Sequence, residues 1–236
     1  MLKIENLTKK YGDFKAVDNI SLEITGGKIF GFIGHNGAGK TTTIKSIVGI
    51  QSFDEGVITL DGIDITKDPV AFKQITSYIP DTPEIYGNLT GIQYLNFIGN
   101  IYNLELDKRN EEILSYAKEF ELDTRLGDVI SSYSHGMKQK LSLISAFIRN
   151  PRLLILDEPF VGLDPNASFR MKKIMKEMAN NGSIIFFSTH VLEVAEKFCD
   201  HVGIIYKGKL AKVGTMEEVK GDKSLESVFM EMTESE

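Results

Sequence analysis

A chain of 236 residues, 42% hydrophobic and 25% charged, has the make-up of an ordinary globular protein with room for one substantial core. Its net charge of −6 argues against broad electrostatic binding to nucleic acid or anionic lipid. Cys199 is the only cysteine, which excludes an internal disulfide, and no apolar run approaches the ~20 residues that span a bilayer.

The opening segment, Met1-Leu2-Lys3-Ile4-Glu5-Asn6, is charged and strand-like, without the layout of a signal peptide. A reducing interior is therefore the expected compartment. Leu2–Asn6, Ile20–Ile24 and Gly56–Leu60 alternate apolar and polar residues as half-buried strands do. Asp61-Gly62 reads as a tight turn joining the last of these to Ile63–Ile65. A different pattern marks Ile29–Ile33, Ile75–Ile79, Leu153–Leu156, Ile184–Phe187 and Val202–Tyr206. These runs are almost wholly apolar, which suits parallel strands covered on both faces. The alternation of strands and helices predicts an α/β protein with an additional β-rich start.

After the first apolar run comes Gly34-His35-Asn36-Gly37-Ala38-Gly39-Lys40-Thr41, which fits G-x-x-x-x-G-K-[ST] at every fixed position. Its glycines free the backbone to turn successive N–H groups inward around phosphate oxygens, and a helix predicted from Lys40 adds its positive end. In that geometry Lys40 meets the β- and γ-phosphates, and the Thr41 hydroxyl is a magnesium ligand.

Strand signals vanish between Thr90 and Arg149. Helices are predicted from Thr90 to Tyr102, with Ile92, Leu95, Asn96 and Gly99 on one face, and from Asp107 to Phe120, with Ile113, Leu114 and Ala117 apolar. Met137–Arg149 is a third helix, and the block reads as a subdomain at about 88–150. Ahead of it, in Tyr133-Ser134-His135-Gly136-Met137-Lys138-Gln139, Ser134 is either a simple N-cap or part of a second anion site with Gly136. Composition does not separate the two.

Leu153-Leu154-Ile155-Leu156-Asp157-Glu158 delivers two carboxylates to the sheet edge where α/β proteins bind ligands. Asp157 is placed to hold magnesium opposite Thr41, and Glu158 to polarise an attacking water. Asp164 is a predicted N-cap for a helix over Pro165–Asn180, and His190 follows another buried strand. Residues 222–236 read as a short acidic tail, only short helix, after a domain covering 1–221.

The order of these motifs resembles the ATP-binding subunit of ABC transporters, over nearly the whole chain. The resemblance implies a P-loop NTPase (RecA-like) core with a mostly parallel sheet, an N-terminal antiparallel β subdomain and the inserted helical subdomain. It implies ATP and magnesium as ligands. Tyr11 would stack on adenine, and Val17, Asn36, Gly37, Ala38, Gly39, Lys40, Thr41 and Thr42 would surround the nucleotide. Ser134, Gly136 and Asp164 would complete the site of a second, facing ATP-binding subunit, and His190 would sense the γ-phosphate as a catalytic residue beside Glu158 and Lys40. Both subunits would serve a membrane-spanning partner from the cytoplasmic face of the membrane, in a homodimer or heterodimer, with no nucleic acid and no span of their own. Two departures stand out. Family members usually carry Gln where this chain has Asp81, which could still ligate magnesium through oxygen. The signature has His135 and Met137 where Gly and Gln are commonest. That variant, and the tail Ser224-Leu225-Glu226-Ser227-Val228-Phe229-Met230, resemble bacterial-type drug, lipid and peptide exporters.

Other classes fit less well. DNA-repair and chromosome ATPases of this kind carry long coiled coils between the phosphate loop and the signature, and the stretch from Thr41 to Tyr133 is too short for one. Translation members usually fuse two such domains. A GTPase would need an Asn-Lys-x-Asp motif, which this sequence lacks. A nucleotide sensor without turnover is disfavoured by Lys40, Asp157, Glu158 and His190, although Asp81 keeps it open.

Overall fold

The two kinds of apolar pattern fall into two separate sheets. The computed structural model describes residues 1–234. Its alternating strands form an antiparallel sheet in the order β2 (Phe14–Ile24), β1 (Leu2–Tyr11), β4 (Glu55–Leu60), β5 (Ile63–Asp64). The β4–β5 turn is at Asp61-Gly62 as expected, with Asp61 at φ 48°. The near-continuous runs become β9 (His201–Tyr206), β3 (Lys28–Ile33), β8 (Ile184–Thr189), β7 (Leu153–Asp157) and β6 (Thr76–Ile79), parallel neighbours in that order. An antiparallel strand, β10 (Lys209–Thr215), closes the β9 edge.

Alternation along the parallel strands divides the core in two. Ile29, Leu154, Leu156, Ile185 and Phe187 face one apolar cluster, which includes Leu141 and Ile144 of α5 (His135–Phe147) and Met171 and Met175 of α6 (Pro165–Asn180). Phe30, Phe32, Ile155 and Phe186 face the other, with Ile44 and Ile47 of α1 (Lys40–Ile47) and the inner residues of the antiparallel sheet. Phe30 and Phe186 stack there at 5.3 Å between ring centroids. Each buried aromatic or aliphatic side chain of this kind contributes about 1.5–3 kcal/mol.

Between β6 and β7 lie α3 (Gly91–Ile101), α4 (Leu106–Glu119) and α5. Thr90 and Gln93 form a capping box that fixes the start of α3. Gly99 of α3 is required for packing: a Cβ there would stand 2.2 Å from Cδ of Arg109, a buried residue of α4 that bonds Asn100 Oδ1 at 2.6 Å.

Several expectations need correction. β1 runs on to Tyr11 because Asn6, at φ 51°, introduces an irregularity that breaks the period-two pattern without ending the strand. Leu114 is exposed, while Ile113 and Ala117 carry the buried face of α4. The helix expected from Met137 begins at His135, with Ser134 as its cap. The C-terminal tail forms a short helix as expected, α9 (Leu225–Glu234), and its Leu225, Val228 and Phe229 are buried in the first cluster. Residues 235 and 236 of that tail lie outside the described residues.

Candidate functional site

β3, β8 and β7 are parallel and adjacent, so the segments following them emerge at one sheet edge. Those segments carry the glycine-rich loop, His190 and the Asp157-Glu158 pair. Three motifs spread from residue 34 to residue 190 thus converge at the position where open α/β sheets bind ligands.

The loop reaches α1 through Gly39, which caps the helix at φ 108°. A side chain there would meet Ala16 O at 2.5 Å as well as the wrong region of backbone space, so only glycine fits. Lys40 is 6% exposed. Its Nζ donates to Gly34 O at 2.7 Å and His35 O at 3.2 Å, and stands 3.6 Å from Glu158 Oε1. Thr41 Oγ1 donates to Asp157 Oδ2 at 2.8 Å. A cavity of about 360 Å³ opens over these groups. Of the residues expected at the nucleotide, Tyr11, Asn36, Gly37, Gly39, Lys40, Thr41, Thr42, Asp81, Asp157 and Glu158 line it.

Val17 does not. It is wholly buried in the second cluster, and the β2 residue on the cavity is its neighbour Ala16, because successive strand residues point to opposite faces. Ala38 is likewise buried, its carbonyl accepting from Gly208 N–H at 2.9 Å. Phe14, exposed across the cavity mouth with Tyr11, was not expected; it precedes the alternating run that marked β2 in the sequence.

Glu158 takes the left-handed conformation, φ 48°, immediately beyond β7. Its Oε2 is 3.0 Å from His190 Nδ1, while Oε1 is buried and accepts no hydrogen bond from the protein. The nearest cation to Oε1 is Lys40 Nζ, at 3.6 Å. Behind the pair stands Ser188 of β8, fully buried, which donates to Asp157 Oδ1 at 2.5 Å and accepts from Glu158 N–H at 3.0 Å. Nothing in the sequence distinguished Ser188; its role depends on the β7–β8 register, which sets Asp157 beside Ser188.

Three carboxylates, of Asp81, Asp157 and Glu158, share the cavity with one lysine. A triphosphate entering such a site needs a cation between it and the acids. The hydroxyl of Thr41 and the carboxylate of Asp157, already facing each other, form the all-oxygen donor set that magnesium prefers. Burial raises the Tyr78 phenol above its ordinary range, and the Asp157 and Asp81 carboxylates add to the effect.

Ser134, Gly136 and Asp164 do not line the cavity of their own chain. Ser134 is exposed, its Oγ accepting from Met137 N–H at 3.3 Å. Asp164 caps α6 through Ala167 N–H at 2.8 Å and pairs with Lys140 of α5 at 2.9 Å. Gln139 Nε2 donates to Pro159 O at 3.2 Å, so the start of α5 and the loop after Glu158 are tied together.

Comparisons with known proteins match this arrangement. Residues 17–161 fit the family model described as "ABC transporter". The chain is 34% identical to the ABC-type transporter ATP-binding protein EcsA of Bacillus subtilis, over all of this chain and 98% of that protein. It is 36% identical to the linearmycin resistance ATP-binding protein LnrL of the same organism, over 93% of this chain and 70% of that protein. A solved structure described as the ATP-binding subunit of an ABC transporter superposes with a TM-score of 0.95 at 32% identity, covering 99% of both chains.

Proposed function

The chain belongs to the ABC transporter family as an ATP-binding subunit, an ATPase that works with a membrane-spanning partner, and we propose that it drives export with two copies enclosing two ATP molecules. The observation that carries the catalytic reading is the convergence of Lys40, Thr41, Asp157, Glu158 and His190 on one sheet edge. The export reading draws on the relative named for linearmycin resistance.

We assign adenine to Tyr11, exposed at the cavity mouth, and the phosphates to the N–H groups of residues 36–41 with Lys40. Lys40 is already desolvated, so its charge acts in a poorly screened setting. Thr41 and Asp157 would hold magnesium, with Asp81 within the same cavity; bound there, the ion would offset phosphate charge. The Glu158 carboxylate accepts a proton from water as the water oxygen bonds to the γ-phosphorus and the bond to the bridging oxygen breaks, releasing ADP and phosphate. His190 Nδ1, against Glu158 Oε2, steadies that carboxylate, and we assign the γ-phosphate contact to the exposed remainder of its ring, although the residue does not itself line the cavity.

Ser134 and Gly136 complete the site of the opposite copy in this reading. Two helix N-termini, of α1 and of the partner's α5, then share the γ-phosphate, and hydrolysis removes the bridge. Residues 1–221 make up the ATP-binding domain, with the helical subdomain at about 88–150. Among the described residues no helix is long and apolar enough to cross a membrane. The partner crosses it, and we place this chain on the cytoplasmic face. The exposed ring pair Tyr86–Phe97, 5.7 Å apart, with exposed Ile101 one turn further along α3, is the apolar surface that suits such a partner.

Glu158→Gln tests the catalytic core of this reading. ATP binding should persist while hydrolysis falls at least ~100-fold, the usual scale for a lost general base. Size-exclusion chromatography with ATP should show the two-copy form enriched. Undiminished hydrolysis would remove Glu158 from the role.

A further inference from the structure

We propose that Ser188 is a positioning residue for hydrolysis, and that its hydroxyl sets the orientation of both Asp157 and Glu158. This rests on the assignment of Glu158 as the base.

Ser188 sits beside Asp157 in the β7–β8 register and is fully buried. A serine hydroxyl has one proton to donate and lone pairs to accept. Here both functions are used, and each on a different catalytic-site residue. The proton goes to Asp157 Oδ1, and the oxygen receives Glu158 N–H. Because Oδ1 is engaged behind the site, Oδ2 is the oxygen left to face Thr41 and the cavity. The second bond acts on the backbone. Glu158 is a non-glycine residue in the left-handed region, a conformation that its Cβ disfavours. The Ser188 bond to its N–H helps to hold it there. In that conformation the chain turns off the strand direction, and the Glu158 side chain lies between Lys40 and His190. Relaxed to an extended conformation, the residue would continue the β7 pleat and swing its carboxylate away from both.

A methyl group in place of the hydroxyl loses both bonds at once. Asp157 is then free to rotate, and the Glu158 N–H loses its partner. Neither change touches the adenine or phosphate contacts, so the loss should appear in turnover rather than in nucleotide affinity. A serine that served only to satisfy a buried N–H would instead alter stability and leave turnover per folded molecule unchanged.

The test compares Ser188→Thr with Ser188→Val, side chains of equal shape that differ in the hydroxyl alone. Any overpacking by the added methyl group affects both. Ser188→Thr should keep kcat for ATP hydrolysis close to wild type. Ser188→Val should lower it about 10–100-fold, the scale of a small misplacement of reacting groups, with KM for ATP little changed. Ser188→Ala adds no bulk and carries the same expectation as valine, so the question stays decidable if the larger side chains prevent folding. Equilibrium binding of a fluorescent ATP analogue without magnesium should match wild type in every variant. Equal kcat for the threonine and valine proteins, wild-type kcat for the alanine protein, or an effect confined to KM would overturn the proposal. The Glu158→Gln protein separates the two levels. If it hydrolyses ATP normally, the assignment of the base has failed; if it is inactive and the threonine and valine proteins are alike, only the role of Ser188 has.

Discussion

Asp81 lines the cavity, and its Oδ1 accepts from Thr82 N–H at 2.7 Å. With Asp157 and Glu158 it makes the cavity acidic before any ligand enters. Asp81→Gln should tighten binding of metal-free ATP about two- to fivefold, the effect of removing one partly screened charge several ångströms from a triphosphate. It should also reduce the gain in affinity on adding magnesium, and fluorescence titration with and without the metal measures both. At this scale the sequence was informative wherever a role depends on neighbours along the chain. Lys40 and Thr41 follow from the loop, and Asp157 and Glu158 from the end of an apolar run. Ala16 in place of Val17, Phe14 and Ser188 depend on which strand face meets the cavity and on register between strands, and neither is written in a local pattern.

Asp164 shows how one residue sets an element. Its carboxylate ends the loop and starts α6, and it is held below the usual carboxylate range by the Ala167 N–H first and the Lys140 ammonium second. Asp164→Ala should cost about 1 kcal/mol, as loss of an N-cap does, measured by urea unfolding near neutral pH. The sign of the pH dependence follows from the depressed value. The stabilisation is complete above the unfolded carboxyl pKa of about 3.9 and disappears as pH falls through the lower folded value, so wild type and variant should converge in strong acid. Helix α6 matched its expected limits because Asp164, Pro165 and the apolar spacing all agree. β10 was missed because Lys209–Thr215 is an edge strand with little buried alternation. The start of α5 was set two residues late because His135 and Gly136 carry no apolar signal.

For the whole molecule, the central fact is that Ser134 and Gly136 lie outside the cavity lined by Lys40, Thr41, Asp157 and Glu158. In the arrangement proposed above, Ser134→Ala in one copy impairs hydrolysis at the nucleotide held by the other. Mixed dimers pairing a Ser134→Ala subunit with a Lys40→Ala subunit check this. With both changes in one subunit, each composite site carries one defect, either the altered lysine or the altered serine, and hydrolysis should fall well below half of wild type. With the changes split between subunits, the intact Lys40 loop of one faces the intact Ser134 of the other, so one complete site remains and about half of wild-type hydrolysis should be retained. Equal rates in the two mixed dimers would count against shared sites.

Phe229, from α9, lies edge-on to His35 of the phosphate loop, with ring centroids 4.6 Å apart. Phe229→Ala should cost about 3 kcal/mol or more through the void it leaves. That corresponds to a melting temperature roughly 6–12 °C lower at this chain length, read by thermal denaturation. What looks like dispensable trailing sequence is therefore a buttress. Anyone trimming the protein after Gly221, or grafting a reporter close behind α9, would be loosening the grip on ATP from the far side.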